Sequence, residues 1–387
     1  MSVEVLPLGN ACNIACRYCY EEPMRETGNV NPVKKYNIDA MLAGLRREIT
    51  EGGQDHFVVF GGEPLLVPLE DLKKLWEYGL TFGRQSNCIQ SNGSLITPEH
   101  MKAFREYKVH VGFSIDGPGK LNGLRTAHVW SKTDEFTKKS IDNFVACLKD
   151  PDISASLILT LARTNAGPEN LPILVEWFKE LIEYGLYDVN LHFLEIDTPG
   201  LEKEILTDQE LADAVMAIGE LMESGKFKVH PLATMSKLLL GDDRFANCTW
   251  HPCDPYTTSA VQGVMGDGSR GNCGRAAKEG INWEKAQQPS YIRQQILWNT
   301  PYEDGGCKDC RFFYACKGNC PGEGIDGDWR NRTDKCGSLL IMFRELEKRL
   351  VKMGLTPISL DSNRRNMIVQ KQLDAWGKGD RILIADC

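Results

Sequence analysis

The sequence predicts an α/β fold: a parallel sheet built from six strand–helix repeats, followed by a smaller cysteine-rich region. Short apolar runs recur through the first 235 residues, each followed by an amphipathic stretch at helical spacing. Between residues 236 and 345 that alternation gives way to glycine, proline and eight cysteines. A chain of 387 residues also exceeds what one core ordinarily organises.

The strands are read at Val3–Leu8, Phe57–Phe60, Asn87–Gln90, His110–Ile115, Ser154–Leu161 and Val189–Leu194. Between them, Ile38, Met41, Leu42, Leu45 and Ile49 fall on one helical face. So do Leu69, Leu72, Leu75 and Trp76, and Leu171, Leu174, Val175, Phe178 and Leu181. Thr97-Pro98-Glu99 and Thr207-Asp208-Gln209-Glu210 read as helix starts, with a capping hydroxyl and early acidic residues. Six repeats are too few to close an eight-stranded barrel, so an open partial (β/α)6 barrel over residues 1–235 fits better. The cysteine-rich domain follows over 236–345. A helix through Ile341, Leu346 and Leu350 then opens a tail over 346–387, where Arg364 and Arg365 read as solvated surface.

Bulk composition narrows the class. A net charge of −8 argues against a general binder of nucleic acid. No apolar run approaches a membrane span and no basic-then-apolar signal opens the chain, so no membrane and a cytoplasmic location are expected. Fourteen cysteines in a large chain without such a signal point to metal in a reducing compartment.

Cys12, Cys16 and Cys19 lie directly after the first strand, where such sheets gather their catalytic groups. Three thiolates can hold three corners of a four-iron cluster and leave the fourth iron open. A zinc site would ask for a fourth Cys or His, and the next residues are Tyr20, Glu21 and Glu22. Gly61-Gly62-Glu63-Pro64 follows the second strand, Gln90-Ser91-Asn92-Gly93 ends the third, and Ser114-Ile115-Asp116-Gly117 ends the fourth.

The C-x3-C-x2-C run and the Gly-Gly-Glu motif together resemble the radical S-adenosylmethionine (radical SAM) enzymes. The resemblance implies that the free iron chelates SAM and that reductive cleavage yields a 5′-deoxyadenosyl radical. It also implies that Gly61 and Gly62 let the backbone approach the ligand, and that Glu63 accepts from its amino group. Asn92 and Ser114 are further polar contacts, Arg125 resembles the arginine that pairs with the SAM carboxylate, and Tyr18 and Ile196 border the adenine. Asp116 either faces the ligand or caps the turn into Gly117.

The later cysteines form C-x14-G-x4-C from Cys253 through Gly268 to Cys273, then C-x2-C-x5-C-x3-C from Cys307 to Cys320. With Cys248 and Cys336 they resemble the SPASM extension of these enzymes, which carries two auxiliary [4Fe-4S] clusters. The resemblance assigns Cys248, Cys253, Cys273 and Cys320 to one cluster, and Cys307, Cys310, Cys316 and Cys336 to the other. Three [4Fe-4S] clusters in all are then expected. Zinc is the competing reading for the C-x2-C group. Cys88 and Cys147 read as small buried hydrophobes, and Cys387 as a mobile terminal thiol.

SPASM enzymes mostly modify peptides or proteins, and the resemblance implies a flavodoxin or ferredoxin reductant. The sulfatase-maturing branch carries a basic aspartate directly after the cysteine corresponding to Cys273; here that residue is Gly274. The expected activity is therefore oxidative crosslinking, by a C–C or thioether bond, of a ribosomally made precursor peptide. Formylglycine formation on a Ser or Cys comes second and an iron–sulfur electron carrier third. No catalytic base is assigned. Eleven residues precede Cys12, too few for a leader-binding domain, so a separate leader-binding protein is a candidate partner.

Overall fold

The six expected strands form and lie side by side in chain order. The computed structural model describes residues 2–21, 36–52, 56–81, 86–195, 197, 199–257, 262–278 and 290–387. Its strands are β1 (Val3–Leu6), β2 (Ile14–Cys16), β3 (Phe57–Val59), β4 (Asn87–Ser91), β5 (His110–Ser114) and β6 (Arg125–Ala127). β7 (Ser154–Leu161), β8 (Asp188–Phe193), β9 (Lys228–His230), β10 (Gln262–Met265) and β11 (Arg270–Gly271) follow. Nine of these make one sheet in the order β11-β10-β1-β3-β4-β5-β7-β8-β9, parallel except for β10–β11. β2 and β6 form a separate antiparallel pair.

Helices cross between successive strands, as parallel pairing requires. They are α1 (Ile38–Gly52), α2 (Leu69–Leu80), α3 (Pro98–Glu106), α4 (Thr133–Leu148) and α5 (Leu171–Glu183). Of the residues chosen by periodicity, Met41 and Leu45, Leu72, Leu75 and Trp76, and Leu174, Phe178 and Leu181 are buried, while Ile38, Leu42, Ile49, Leu69, Leu171 and Val175 are partly so. Thr97 caps α3 in a reciprocal box with His100. Thr207 and Glu210 do the same for α6 (Asp208–Gly219), each side chain accepting from the other's backbone N–H at 3.2 and 2.8 Å.

Three sheet strands were not foreseen. β9 is short and Lys-led, and β10–β11 lie in the cysteine-rich stretch, where Gln262-Gly263 hides the pattern of a buried strand. β10 pairs along the free edge of β1, Val3 to Gln262 through Leu6 to Met265, so it covers an edge that would otherwise be exposed.

The chain divides into two units. The first holds Met1–Leu206, Asp213–His230 and Val261–Cys273, and thus the whole sheet. The second holds Thr207–Ala212, Pro231–Ala260 and Gly274–Cys387. Its helices include α7 (Leu232–Leu239), α8 (Ile292–Asn299), α9 (Cys336–Lys352) and α10 (Ser362–Gly377). Phe312 stacks on Phe343 at 4.8 Å, and Trp376 of α10 meets Phe313 edge-on at 6.1 Å. The segment after residue 345 therefore supplies core to this unit. Cys387 is held there too: its Sγ reaches the Leu383 carbonyl at 3.2 Å and its carbonyl accepts from Lys371. Among the described residues, no helix is long and apolar enough to cross a membrane.

Candidate active site

Chain order places the C-terminal ends of β1, β3, β4, β5 and β7 in a row, and the candidate residues sit on the loops that leave them. The loop after β1 carries Cys12, Cys16 and Cys19. β2, within that loop, pairs with β6 so that Cys16 stands opposite Arg125. This pair brings together residues 109 positions apart in sequence; Arg125 Nη1 lies 4.0 Å from Cys16 Sγ. Burial pushes the Cys16 thiol up to about 12, Arg125 acts in the opposite sense, and the charges of Cys19 and Cys12 add to the rise. The three thiols thus feel one another, and binding a metal must displace their protons.

Gly61 and Gly62 make a close approach to the chain itself. A Cβ at Gly62 would lie 2.1 Å from the Ala11 carbonyl oxygen, and one at Gly61, where φ is +111°, 2.4 Å from that of Gly9. The two glycines lie against the chain's own residues 9–11, and Gly62 and Glu63 donate backbone N–H bonds to Gly9 and Ala11, each at 2.9 Å. The Gly-Gly-Glu turn therefore props the cysteine loop.

Glu63 is 1% exposed. One carboxyl oxygen accepts from Leu65 N at 3.0 Å and from the Ser91 hydroxyl at 2.8 Å; the other accepts from Asn92 N at 2.9 Å. Burial nevertheless lifts its pKa to about 7, against the pull of those hydrogen bonds. The folded value lies above the unfolded one, so this group's stabilisation is present below about pH 4.5 and is lost as pH rises through about 7. Glu63→Gln removes that dependence. The stability of the metal-free chain relative to Glu63→Gln should fall by about 3 kcal/mol between pH 5 and 8, measured by denaturant melts. A difference that stays flat with pH would sink this assignment.

Asn92 Nδ2 donates to Asn13 Oδ1 at 2.8 Å, and Asn13 Nδ2 donates to Ser94 Oγ at 3.0 Å, so the loop after β4 also ties to the cysteine loop. Sequence reasoning missed Asn13. Its only signal was an asparagine directly after the first cysteine of the run. Ser114 Oγ accepts from Gln90 Nε2 at 2.7 Å across β4 and β5.

Asp116 is 2% exposed, and its carboxylate does not cap the turn at Gly117. One oxygen accepts from Thr160 N at 3.0 Å. The other accepts from Tyr18 Oη at 2.5 Å and pairs with Arg125 Nε at 3.1 Å. The Arg125 guanidinium also sits over the Tyr18 ring at 5.4 Å. Tyr18 packs on the buried cluster of Leu124, Ala162, Leu194 and Leu201. Ile196 lies outside the described residues.

In the second unit, burial and then the charges of Cys336, Cys307 and Cys310 push the Cys316 thiol well above its usual value. These four cysteines are the group that the resemblance assigns together. Among the described residues, no three Cys, His, Asp or Glu side chains converge as a site for a single metal ion. Cys147 is fully buried, as expected, while Cys88 is only partly so.

Residues 6–161 match the model of the radical SAM superfamily. A serine-type anaerobic sulfatase-maturating enzyme of Bacteroides thetaiotaomicron is 39% identical, over 82% of this chain and 82% of the relative. The chain belongs to the radical SAM superfamily. A cysteine-type anaerobic sulfatase-maturating enzyme of Clostridium perfringens is 31% identical to this radical SAM enzyme, over 83% of this chain and 88% of the relative. The solved structure of native anSMEcpe with bound AdoMet and the Kp18Cys peptide has the same fold, with a TM-score of 0.69 at 18% identity, covering 91% and 98% of the two chains. Streptococcus suis SuiB, solved with its precursor peptide SuiA, superposes with a TM-score of 0.51 at 16% identity, covering 87% and 76%. The superfamily uses SAM and a [4Fe-4S] cluster, so this radical SAM protein is an enzyme and not an electron carrier.

Proposed function

We propose that this radical SAM enzyme oxidises a Ser or Cys side chain in a peptide segment of a protein substrate, as a sulfatase-type maturase. The carrying observation is the pair of relatives, 39% and 31% identical over about four fifths of this chain, that bear that name. They put formylglycine formation ahead of the crosslink expected from sequence. In this reading Cys12, Cys16 and Cys19 hold the SAM-binding cluster, and Glu63, Asn92, Ser114 and Arg125 orient SAM beside it. Cluster and SAM together supply a radical that removes a hydrogen atom which acid–base chemistry cannot.

Arg125 is already paired with Asp116, so a ligand carboxylate would share a guanidinium held in place rather than recruit a mobile one. Tyr18 donates to the same Asp116 oxygen and helps to fix it. Converting serine to an aldehyde removes a hydrogen atom from Cβ, then one electron and one proton. The electron would pass to the auxiliary clusters, held by Cys248, Cys253, Cys273 and Cys320 and by Cys307, Cys310, Cys316 and Cys336. The family aspartate that takes the proton is replaced by Gly274, so another residue or the substrate must accept it. That departure is the one observation that favours the second reading, a crosslinked ribosomal peptide. A flavodoxin or ferredoxin would deliver the first electron, which suits the cytoplasm; a separate leader-binding protein belongs to the second reading only.

The test is anaerobic. The reconstituted enzyme, SAM and a reductant are incubated with a sulfatase-derived peptide carrying Ser or Cys at the modified position. An aldehyde trapped by a hydrazine reagent supports the reading. Deoxyadenosine without any aldehyde, on both peptides, overturns it in favour of the crosslink.

A further inference from the structure

Arg293 of α8 is fully buried in the second unit. Among the described residues, its side-chain hydrogen bonds go to backbone carbonyls. Nε donates to Trp329 at 2.6 Å, Nη1 to Asn319 at 2.9 Å, and Nη2 to Gly318 at 3.2 Å and Asn331 at 2.8 Å. Among the described residues no carboxylate lies within ion-pair distance of its guanidinium. A buried, unpaired charge is costly unless something nearby carries the opposite sign.

The segment that it grips is unusual. Lys317, Gly318 and Asn319 all have positive φ, at 53°, 82° and 56°, and they span the gap between Cys316 and Cys320. Two of the three are not glycine, so this left-handed run is strained and must be held. Arg293 holds it through two carbonyls, and Thr333 N adds a bond to Gly318 O at 3.0 Å. Cys316 and Cys320 are assigned to different clusters, so the segment bridges both sets. On the other side, Arg293 N donates to Asp254, next to Cys253, at 3.2 Å. Burial lowers the pKa of the guanidinium, and the charges of Cys253, Cys320, Cys307 and Cys316 oppose that drop. These four cysteines come two from each set.

We propose that Arg293 is a positioning residue and shared counter-charge for the two auxiliary clusters, holding the reduction potentials of both above the values that their thiolates alone would set. The inference rests on the cluster assignment under Proposed function. A fixed positive charge beside an anionic cluster favours its reduced form, and a low-dielectric surrounding strengthens the effect. Lysine would keep the charge but lose the fork of donors.

The test is an anaerobic redox titration of the full-length reconstituted enzyme, followed by electron paramagnetic resonance. Added SAM perturbs and so separates the signal of the cluster at Cys12, Cys16 and Cys19. Arg293→Gln should lower both auxiliary midpoint potentials, while Arg293→Lys stays closer to wild type and the SAM-responsive signal is unmoved. Loaded Arg293→Gln with unshifted potentials overturns the proposal. If Arg293→Gln fails to load iron, Arg293→Lys decides: near-native potentials support the counter-charge, and a drop in both despite the retained charge overturns it. Failure of both variants to load, with a loaded wild type, leaves Arg293 a structural clamp and also overturns it. Wild-type enzyme that loads only the SAM-responsive cluster would instead refute the auxiliary assignment itself.

Discussion

Cys16→Ala should abolish deoxyadenosine formation, a loss of at least ~10⁶-fold, because without the cluster SAM cleavage returns to its uncatalysed rate. The substitution removes one of three thiolates from the loop after β1 and leaves the cluster no stable seat there. Iron should drop from about twelve to about eight per chain, since the eight later cysteines are untouched. Fold stability should change little: Cys16 is only partly buried, and the β2–β6 pairing is carried by backbone atoms that alanine retains. Anaerobic reconstitution, iron analysis and chromatography of the nucleoside products check the three expectations together. Wild-type levels of deoxyadenosine from the variant would remove the cysteine loop from the chemistry.

Cys316→Ala should have its largest effect on folding rather than on SAM cleavage. Much of the chain between Cys307 and Cys336 is irregular: turns at Cys307–Cys310, one short helix at Phe313–Cys316, and then the left-handed run before Cys320. Burial raises the Cys307 thiol to about 12 and the Cys316 thiol well above its usual value. Without metal these side chains are therefore neutral thiols with weak hydrogen bonds. Metal binding supplies free energy that counts as folding free energy, on the order of 10 kcal/mol for a structural thiolate site. Loss of one ligand should cost several kcal/mol and expose this region. Hydrogen exchange read by mass spectrometry should show lost protection in α8 and the 300–336 segment, with β3, β4 and β5 unchanged. Chelation of iron from the wild type should reproduce the pattern. Unaltered exchange in both experiments would refute a metal-dependent fold for this unit.

Order at the level of single elements was readable from the chain. Met41, Leu45, Leu72 and Leu75 recur at helical spacing, and local periodicity alone assigns them to buried helix faces. Cys12, Cys16 and Cys19 lie within eight residues, so their shared chemistry is also a local property. The same holds for the Thr97 and Thr207 caps, whose partners are three residues away.

Where partners are distant, local pattern carries no information. Arg125 meets Cys16 across a strand pair that neither segment announces, and Asp116 takes up Tyr18, Thr160 and Arg125 instead of its own turn. Gly61 and Gly62 are glycines because residues 9–11 lie against them. β10 reached the sheet from far along the chain, and α10 brought Trp376 into a core that its sparse apolar pattern did not suggest. Arg293 read as one basic residue among 45, and only the folded chain surrounds it with carbonyls and thiols. Apolar periodicity and ligand spacing are written within a few turns of chain. The partner of a buried charge is chosen by strand register and by the cost of leaving it unpaired, and both exist only once distant segments have met.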